Sequence, residues 1–511
     1  MSATAPIELT GVDGPRVGAR GWAALVVLML PVLLVSVDNT VLAFALPEIS
    51  LALQPSGAEQ LWIIDVYSLV LAGLLVTMGV MGDRFGRRRM LMIGATGFAV
   101  VSALAAFAPT AGLLIVARAA LGLFGAMLMP STLSLLRSVF LNRDQRRLAI
   151  AVWASAFSAG SALGPIVGGF LLEHFGWGSV FLIAVPVLIP LLIAGFWLLP
   201  ESGDPNPGRI DPLGIALSMA AMIPIVAAIK SFAVDGPRLS AAMFLLMGVC
   251  AGFLFVRRMR LADAPMLDMS LFRRGGFSGA IVVNLLSVIA LVGFLYFVPQ
   301  QLQLVIGLSP IVAGFVLVPG MAAMIVAGLA VVPVSRRVPA HIVVPVGLSL
   351  SALGYVIVAA TTGLSGVGWL MVAFAVLGVG IGAAETISNE LILAHAPAEK
   401  AGAASAVSET AYELGAVLGT AVLGGIITAF YRGALVVPEG VPAASAAHAR
   451  ETLAGAWTAA HDLPAGIGGA LWDAAAAAFG AGALTTSIIG AVLVIGAIVV
   501  AATTLRPSGR R

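Results

Sequence analysis

This 511-residue chain is poor in charge, lysine and cysteine, and each shortage closes a class of function. Only 10% of its residues are charged, against roughly 25% in ordinary soluble domains. One large core does not explain that deficit, because single cores stop growing near ~250–300 residues. A soluble enzyme, a nucleic-acid binder and a disordered chain are therefore poor readings. With Cys250 its one cysteine, the chain forms no internal disulfide and no cysteine-based zinc site. Cys250 reads as a small apolar helix residue. The two lysines, Lys230 and Lys400, follow no Gly-x-x-x-x-Gly pattern, so no P-loop and no ATP-hydrolysing motor is present. Five histidines (His174, His341, His395, His448, His461) make no His-Glu-x-x-His or comparable pair, and no metal site is expected.

What the chain has is apolar sequence: 60% hydrophobic residues and a mean hydropathy of +1.07. Charge-free runs near 20 residues recur, the length that crosses a bilayer as a helix. Bounded by glycine, proline and charge, they predict fourteen spans. These are 23–46, 60–81, 89–108, 112–134, 148–172, 178–199, 211–230, 240–256, 277–299, 310–333, 341–361, 369–394, 402–430 and 481–503. The first run ends near Ala43-Phe44-Ala45, but it is too long for a signal core and contains Asp38, so it reads as a retained span.

Basic residues orient the spans. With both termini cytoplasmic, one side receives 22 of the 27 lysines and arginines. They cluster as Arg84, Arg87, Arg88, Arg89; as Arg137, Arg143, Arg146, Arg147; and as Arg257, Arg258, Arg260, Arg273, Arg274. The other side receives Lys230, Arg238, Arg432 and Arg450, and Arg118 falls inside a span. Lys230, Asp235 and Arg238 are read as a short external connection between the seventh and eighth spans. The positive-inside rule supports this topology, and the basic pI is then a topology signal.

Residues 1–22 form a cytoplasmic N-terminus and 23–200 a six-helix bundle. Residues 201–275 hold two linker helices and a cytoplasmic loop. A second six-helix bundle covers 276–503, with an extracellular 431–480 loop, and 504–511 is a cytoplasmic tail. That loop is Ala-rich; its Trp457 and Trp472 suit the membrane interface or a small hairpin. Two halves of similar plan are common in transporters. The loop Gly328 to Arg337 keeps a glycine and the Arg336-Arg337 pair of the first-half loop but lacks its aspartate.

That first-half loop, Gly79-x3-Asp83-Arg84-x-Gly86-Arg87-Arg88, resembles the motif between the second and third helices of the major facilitator superfamily. Its glycines permit a tight turn, and Asp83 can pair with arginines and face a helix N-terminus. The resemblance implies a charge latch that holds the two halves together in one state and releases them in another. Three further segments resemble the fourteen-helix drug–proton antiporter branch. Asp38-Asn39-Thr40-Val41-Leu42-Ala43-Phe44-Ala45-Leu46-Pro47 matches its first-helix signature, and Arg118-x3-Gly122-x2-Gly125 its fourth-helix motif. Gly160-x3-Gly164-Pro165-x2-Gly168-Gly169 matches the fifth-helix motif of antiporters. Small residues there allow close helix approach, and proline disturbs the ladder where a gate bends. Trp62 to Ser68 and Ser408 to Gly415 look like segments of bacterial pumps for quaternary ammonium compounds, dyes and fluoroquinolones, including an actinobacterial subgroup. In one departure, residues 310–333 lack the acidic residue of relatives that export divalent cations. Broad divalent-cation export is therefore not expected.

Within spans lie Asp38, Asp65, Glu385, Glu390, Glu409 and Glu413, facing the single arginine Arg118. Ionisable groups at bilayer depth are functional candidates, and an acidic interior suits protons and lipophilic cations. At about 1.5 Å per residue, Asp38, Asp65 and Arg118 share a level roughly 8–12 Å below the outer surface. An Asp38–Arg118 pair is sensitive to protonation, because losing the carboxylate charge leaves Arg118 uncompensated. Glu409 and Glu413, four residues apart, occupy one helix face and compete for protons in low dielectric. Proton coupling is assigned to Asp38, Arg118, Glu409 and Glu413. Substrate binding is assigned to Asp65 and Glu385 with Trp62 and Tyr67, since a carboxylate beside aromatics seats a delocalised cation. Trp62 also fits an interfacial belt.

The expected protein is an all-α polytopic membrane protein of the bacterial inner membrane, with the major facilitator fold. Its expected activity is proton-coupled efflux of hydrophobic, mainly cationic drugs by alternating access. The proton gradient serves as the energy source and no cofactor is needed. Expected partners are drugs and lipophilic cations, protons and membrane lipid, with no nucleic acid, and the chain is expected to be a monomer. The alternatives are a proton-coupled symporter of a small nutrient, an intramembrane lipid-modifying enzyme, and a receptor or scaffold.

Overall fold

A computed structural model describes residues 16–203, 211–262, 269–361, 366–395 and 401–506. Most of the expected tails at 1–22 and 504–511 lie outside the described residues, as do Lys400 and the side chains of Arg143, Arg147 and Asp235. The described chain contains 14 helices long and apolar enough to cross a membrane. Spans 1 to 6 are Ala19–Leu53, Gly57–Phe85, Arg87–Ala105, Ala111–Val139, Asp144–Phe175 and Ser179–Leu198. Spans 7 and 8 are Pro212–Ala233 and Leu239–Leu261. Spans 9 to 14 are Gly275–Val305, Pro310–Ser335, Ala340–Thr361, Val367–Ala394, Ala406–Ala434 and Ala465–Thr504.

Many of these helices are apolar around their whole circumference, as expected where lipid and protein interior are equally apolar. Their ends are set by local chemistry. Ser56 and Glu59 close a capping box at the start of span 2, each side chain bonding the other's backbone N–H. Thr110 and Asn142 cap spans 4 and 5 by accepting from Leu113 N and Gln145 N, and Asp211 followed by Pro212 opens span 7. Gly86, at φ 103°, ends span 2 in a conformation that favours glycine.

Spans 1–6 pack into one bundle and spans 9–14 into another. The halves meet along two seams, span 5 against span 10 and span 2 against span 13. Spans 7 and 8 pair with each other, and span 7 also packs on both span 2 and span 13. There Leu69, Val226, Val417 and Ala421 form a small core of their own. The linker pair is thus a wedge in one seam, while the outer helix of the pair exposes Phe244, Leu246 and Phe253 around its circumference.

Most spans run a few residues longer than the sequence reading, and the differences that matter lie at span 7, span 14 and the segment before span 14. Span 7 continues through Lys230, because Phe232 and Ala233 extend its apolar run beyond the lysine. Span 14 begins at Ala465 rather than 481, since the preceding alanine-rich stretch is a strong helix former even where it is mildly polar. The 431–480 segment is accordingly two short helices, Ala443–Glu451 and Leu453–His461, followed by the first turns of span 14. Leu453–His461 packs on spans 1 and 14, and Tyr431 Oη donates to Ala449 O (2.7 Å) to tie the pair down. Within span 13, Gly419–Gly424 is π-helical, an irregularity often found at functional positions.

Candidate functional site

A cavity of about 560 Å³ lies between the halves near the helix ends that carry the arginine clusters. Spans 4, 5, 9, 10, 12 and 13 line it, with Trp153, Phe157 and Tyr412 as its aromatic walls and Glu385 and Glu409 as its carboxylates. Phe157 meets Tyr412 edge to face at 5.9 Å, a contact between the two halves. At the mouth, Ser408 donates to Asn389 Oδ1, which also accepts from Asn284 Nδ2 (3.4 Å). No lysine or arginine is among the described residues lining this cavity.

A narrower space of about 60 Å³ continues inward. It shares Ser161, Leu291, Met324 and Tyr412 with the main cavity and reaches Asp65 and Arg118. Arg118 donates from Nη1 to Asp38 Oδ2 at 2.6 Å and from Nε to Ile63 O at 3.3 Å. Its guanidinium also lies 4.6 Å from the Tyr67 ring centroid. Both charges are buried, Arg118 at 1% and Asp38 at 6% exposure. Span 4 can bring Arg118 this close because Gly122 lies directly against the Tyr67 backbone, where a Cβ would meet Tyr67 O at 2.5 Å.

Lys230 changes the charge pattern read from the sequence. It is not in an external connection: it is 1% exposed, and its Nζ donates to Asp65 Oδ1 at 2.6 Å. The same Nζ lies 3.5 Å from the Trp62 ring centroid, a cation–π contact. The interior therefore holds two buried cations rather than Arg118 alone. A long lysine stem near a helix end reaches several ångströms along the helix, and a buried carboxylate gives it a target.

Of the four residues assigned to substrate, Glu385 lines the main cavity and Asp65 the narrow extension. Trp62 faces Lys230, and Tyr67 is fully buried between Arg118 and Phe98, so neither lines the described cavities. Glu409 lines the cavity, whereas Glu413 is buried deeper, with Ser68 and Asn39 facing its carboxylate. Glu413 Oε2 has no hydrogen-bond partner among the described residues. Glu390 is exposed at the end of span 12.

The glycine motif of span 5 has two faces. Gly160, Gly164 and Gly168 lie on span 1, where added Cβ atoms would meet Ser36, Thr40 and Val41. Gly169 lies on span 10, with a virtual Cβ 2.7 Å from Ile311 Cα, and Gly314 of span 10 lies equally close to Pro165 O. The loop motif makes local contacts in this conformation. Asp83 pairs with Arg87 one turn on (2.8 Å), and Arg88 reaches Glu201 (3.6 Å) and Leu199 O (3.2 Å). Arg87 N donates to Ser202 O, Gly79 packs on Pro130, and Arg84 lies exposed over Phe85. In this conformation these partners lie in the first half or, for Glu201 and Ser202, just beyond span 6. A side chain at Gly86 is disfavoured by its φ of 103°, and its Cβ would also displace the end of the Glu201 side chain, 2.7 Å away.

Residues 28–420 match the family model of the Major Facilitator Superfamily. The chain belongs to that superfamily. A multidrug efflux pump, LfrA of Mycolicibacterium smegmatis, is 54% identical over 491 residues, covering 96% of this chain and 97% of the pump. The methyl viologen resistance protein SmvA of Salmonella typhimurium is 38% identical over 466 residues, covering 90% and 93%. A bacterial homolog of the human lysosomal transporter Spinster, solved inward-facing and unoccupied, shares the fold with a TM-score of 0.67 at 16% identity, covering 97% of this chain and 100% of that one. Membership in the superfamily makes this chain a multi-pass membrane transporter rather than an enzyme, and its two bundles are the two halves of the major facilitator fold.

Proposed function

We propose that this transporter is a multidrug efflux pump that exchanges protons for hydrophobic, mainly cationic compounds by alternating access. The observation that carries the reading is the cavity with two carboxylates, three aromatic walls and, among the described residues, no lining lysine or arginine. Its volume lies within the usual range of drug-sized sites, roughly 300–1,000 Å³. Coulomb attraction to Glu385 and Glu409 and cation–π contact with Trp153 and Tyr412 suit quaternary ammonium compounds and dyes, and planar fluoroquinolones fit the same walls. The drug-resistance names of the relatives support export rather than uptake. The positive-inside rule places both termini, and the mouth of the cavity, on the cytoplasmic side of a bacterial inner membrane.

Protons and the drug compete for the same charges. Protonation of Glu409 and Glu413 removes the attraction for a bound cation, and deprotonation toward the cytoplasm restores it. Protonation of Asp38 leaves Arg118 buried and unpaired, which favours a different packing of spans 1 and 4. The loop residues Gly79, Asp83, Arg84, Gly86, Arg87 and Arg88 then act as the latch of the state not seen here, and the span 5 glycines as the sliding surface. No cofactor is required and the monomer suffices.

Proteoliposomes with an imposed proton gradient test this reading. Ethidium should move against its own gradient in wild-type vesicles and stop in Asp38→Asn. Efflux that survives Asp38→Asn unchanged would sink the coupling assignment, and accumulation in the direction of proton flow would favour a symporter.

A further inference from the structure

We propose that Lys230 is a tethered cation that occupies a second cation seat, made by Asp65 and Trp62, and so disfavours substrates that bring a second positive charge to the Asp65 end of the cavity. The proposal rests on the efflux reading above and adds to it a residue that determines specificity.

The seat has the components of a cation site. Asp65 supplies a carboxylate at 1% exposure, Trp62 supplies a ring face, and the narrow extension of the cavity leads to Asp65. An ammonium already fills it, with Nζ 2.6 Å from Asp65 Oδ1 and 3.5 Å from the ring centroid. That ammonium comes from neither six-helix half. It is carried by span 7, which enters the seam between spans 2 and 13. Asp65 Oδ2 has no partner among the described residues, so the seat retains an unused acceptor.

The position of the neutralised seat then sets the selectivity. Asp38 is neutralised by Arg118 and Asp65 by Lys230, which leaves Glu385, Glu409 and Glu413 without a basic partner among the described residues. A monocation is served by the glutamates. In a dication, the second charge directed inward meets a seat whose negative charge is already spent. Removing the lysine charge frees Asp65 and gives that second charge a carboxylate and a ring.

The test compares ethidium, a monocation, with methyl viologen, a dication, in proteoliposomes of the full chain under an imposed proton gradient. Four proteins are used: wild type, Lys230→Met, Lys230→Gln and Lys230→Met/Asp65→Asn. The glutamine amide still donates to Asp65 without a charge, so it carries the test if the methionine variant does not fold. The expected result is a rise of about tenfold in the methyl viologen to ethidium rate ratio for the single variants, equivalent to about 1.4 kcal/mol. The double variant should return to the wild-type ratio. If Lys230 is only structural, both rates fall together in the single variants, the ratio stays fixed, and the proposal is overturned. Failure of the wild type to move either cation overturns the efflux reading instead, and the two failures are distinct.

Discussion

The two halves of this transporter treat buried acid in opposite ways. In the first half every deeply buried carboxylate has a cation against it, Asp38 with Arg118 and Asp65 with Lys230, each at 2.6 Å. In the second half Glu385, Glu409 and Glu413 share one region with aromatics, serine and asparagine, and no basic side chain lines the cavity there among the described residues. A paired charge in low dielectric holds a geometry, because removing one partner leaves the other stranded. An unpaired charge lining a cavity is available to a proton or a mobile cation. The first half is therefore the electrostatically settled one, and the second half carries the vacant negative charge.

The largest effect is expected from making the first half resemble the second. Arg118→Ala leaves Asp38 buried without its partner, a loss of about 3–5 kcal/mol. It should appear as a marked fall in thermal stability in detergent and as loss of proton-driven ethidium efflux. The converse change gives the second half a cation. Asn389→Lys places an ammonium one turn from Glu385 at the cavity mouth. Ethidium transport should fall about tenfold, as expected for a change near 1.4 kcal/mol, while the Tm stays within a few degrees of wild type.

A smaller effect is expected from Glu409→Gln, which removes one of the two cavity carboxylates but no pair. Ethidium binding by fluorescence should weaken several-fold. The Tm should hold or rise slightly, since an unpaired acid in a low-dielectric site costs stability. The smallest effect should come from outside the membrane. Asp211 caps span 7 through Gly214 N (2.9 Å) and accepts two hydrogen bonds from Arg258 Nε and Nη2. Those arginine bonds hold its carboxyl below the ordinary value of 3.8. A depressed folded-state pKa means the stabilisation is complete at neutral pH and lost as pH falls through the folded value. Asp211→Asn should lower the Tm slightly at pH 7, with the difference from wild type closing as pH falls below the ordinary value of 3.8. A large effect of Asp211→Asn on ethidium transport would show that the linker pair contributes more than a wedge.

The fourteen spans were legible because a bilayer demands about 20 apolar residues and tolerates few exceptions. The Asp38–Arg118 pair was legible for a similar reason, since helix rise alone puts both residues at one depth. Lys230 was not. A lysine at the edge of an apolar run resembles a boundary, and only the continuation through Phe232 and Ala233 marks it as interior. With its partner 165 residues away, no local spacing could have paired it. The span 5 glycines announced close packing, but which neighbour each one meets depends on the crossing of spans 1, 5 and 10. The loop motif was legible as a turn with paired charge. Its partners here, Glu201 and Ser202, come from beyond span 6, which a resemblance in the loop itself does not specify.

The wedge of span 7 also has a consequence for how the chain is made. A ribosome releases Asp65 well before Lys230, and four further spans follow before span 7 begins. Once span 6 is in place the first bundle is complete by helix count, yet it carries an acid whose counter-charge has not been synthesised. Lys230 enters the bilayer with a cost of its own, roughly 2.5–3.5 kcal/mol on insertion scales, which the apolar residues around it offset. Only when span 7 docks does each charge cancel the other. The smallest unit of this protein that is electrically whole therefore has seven helices.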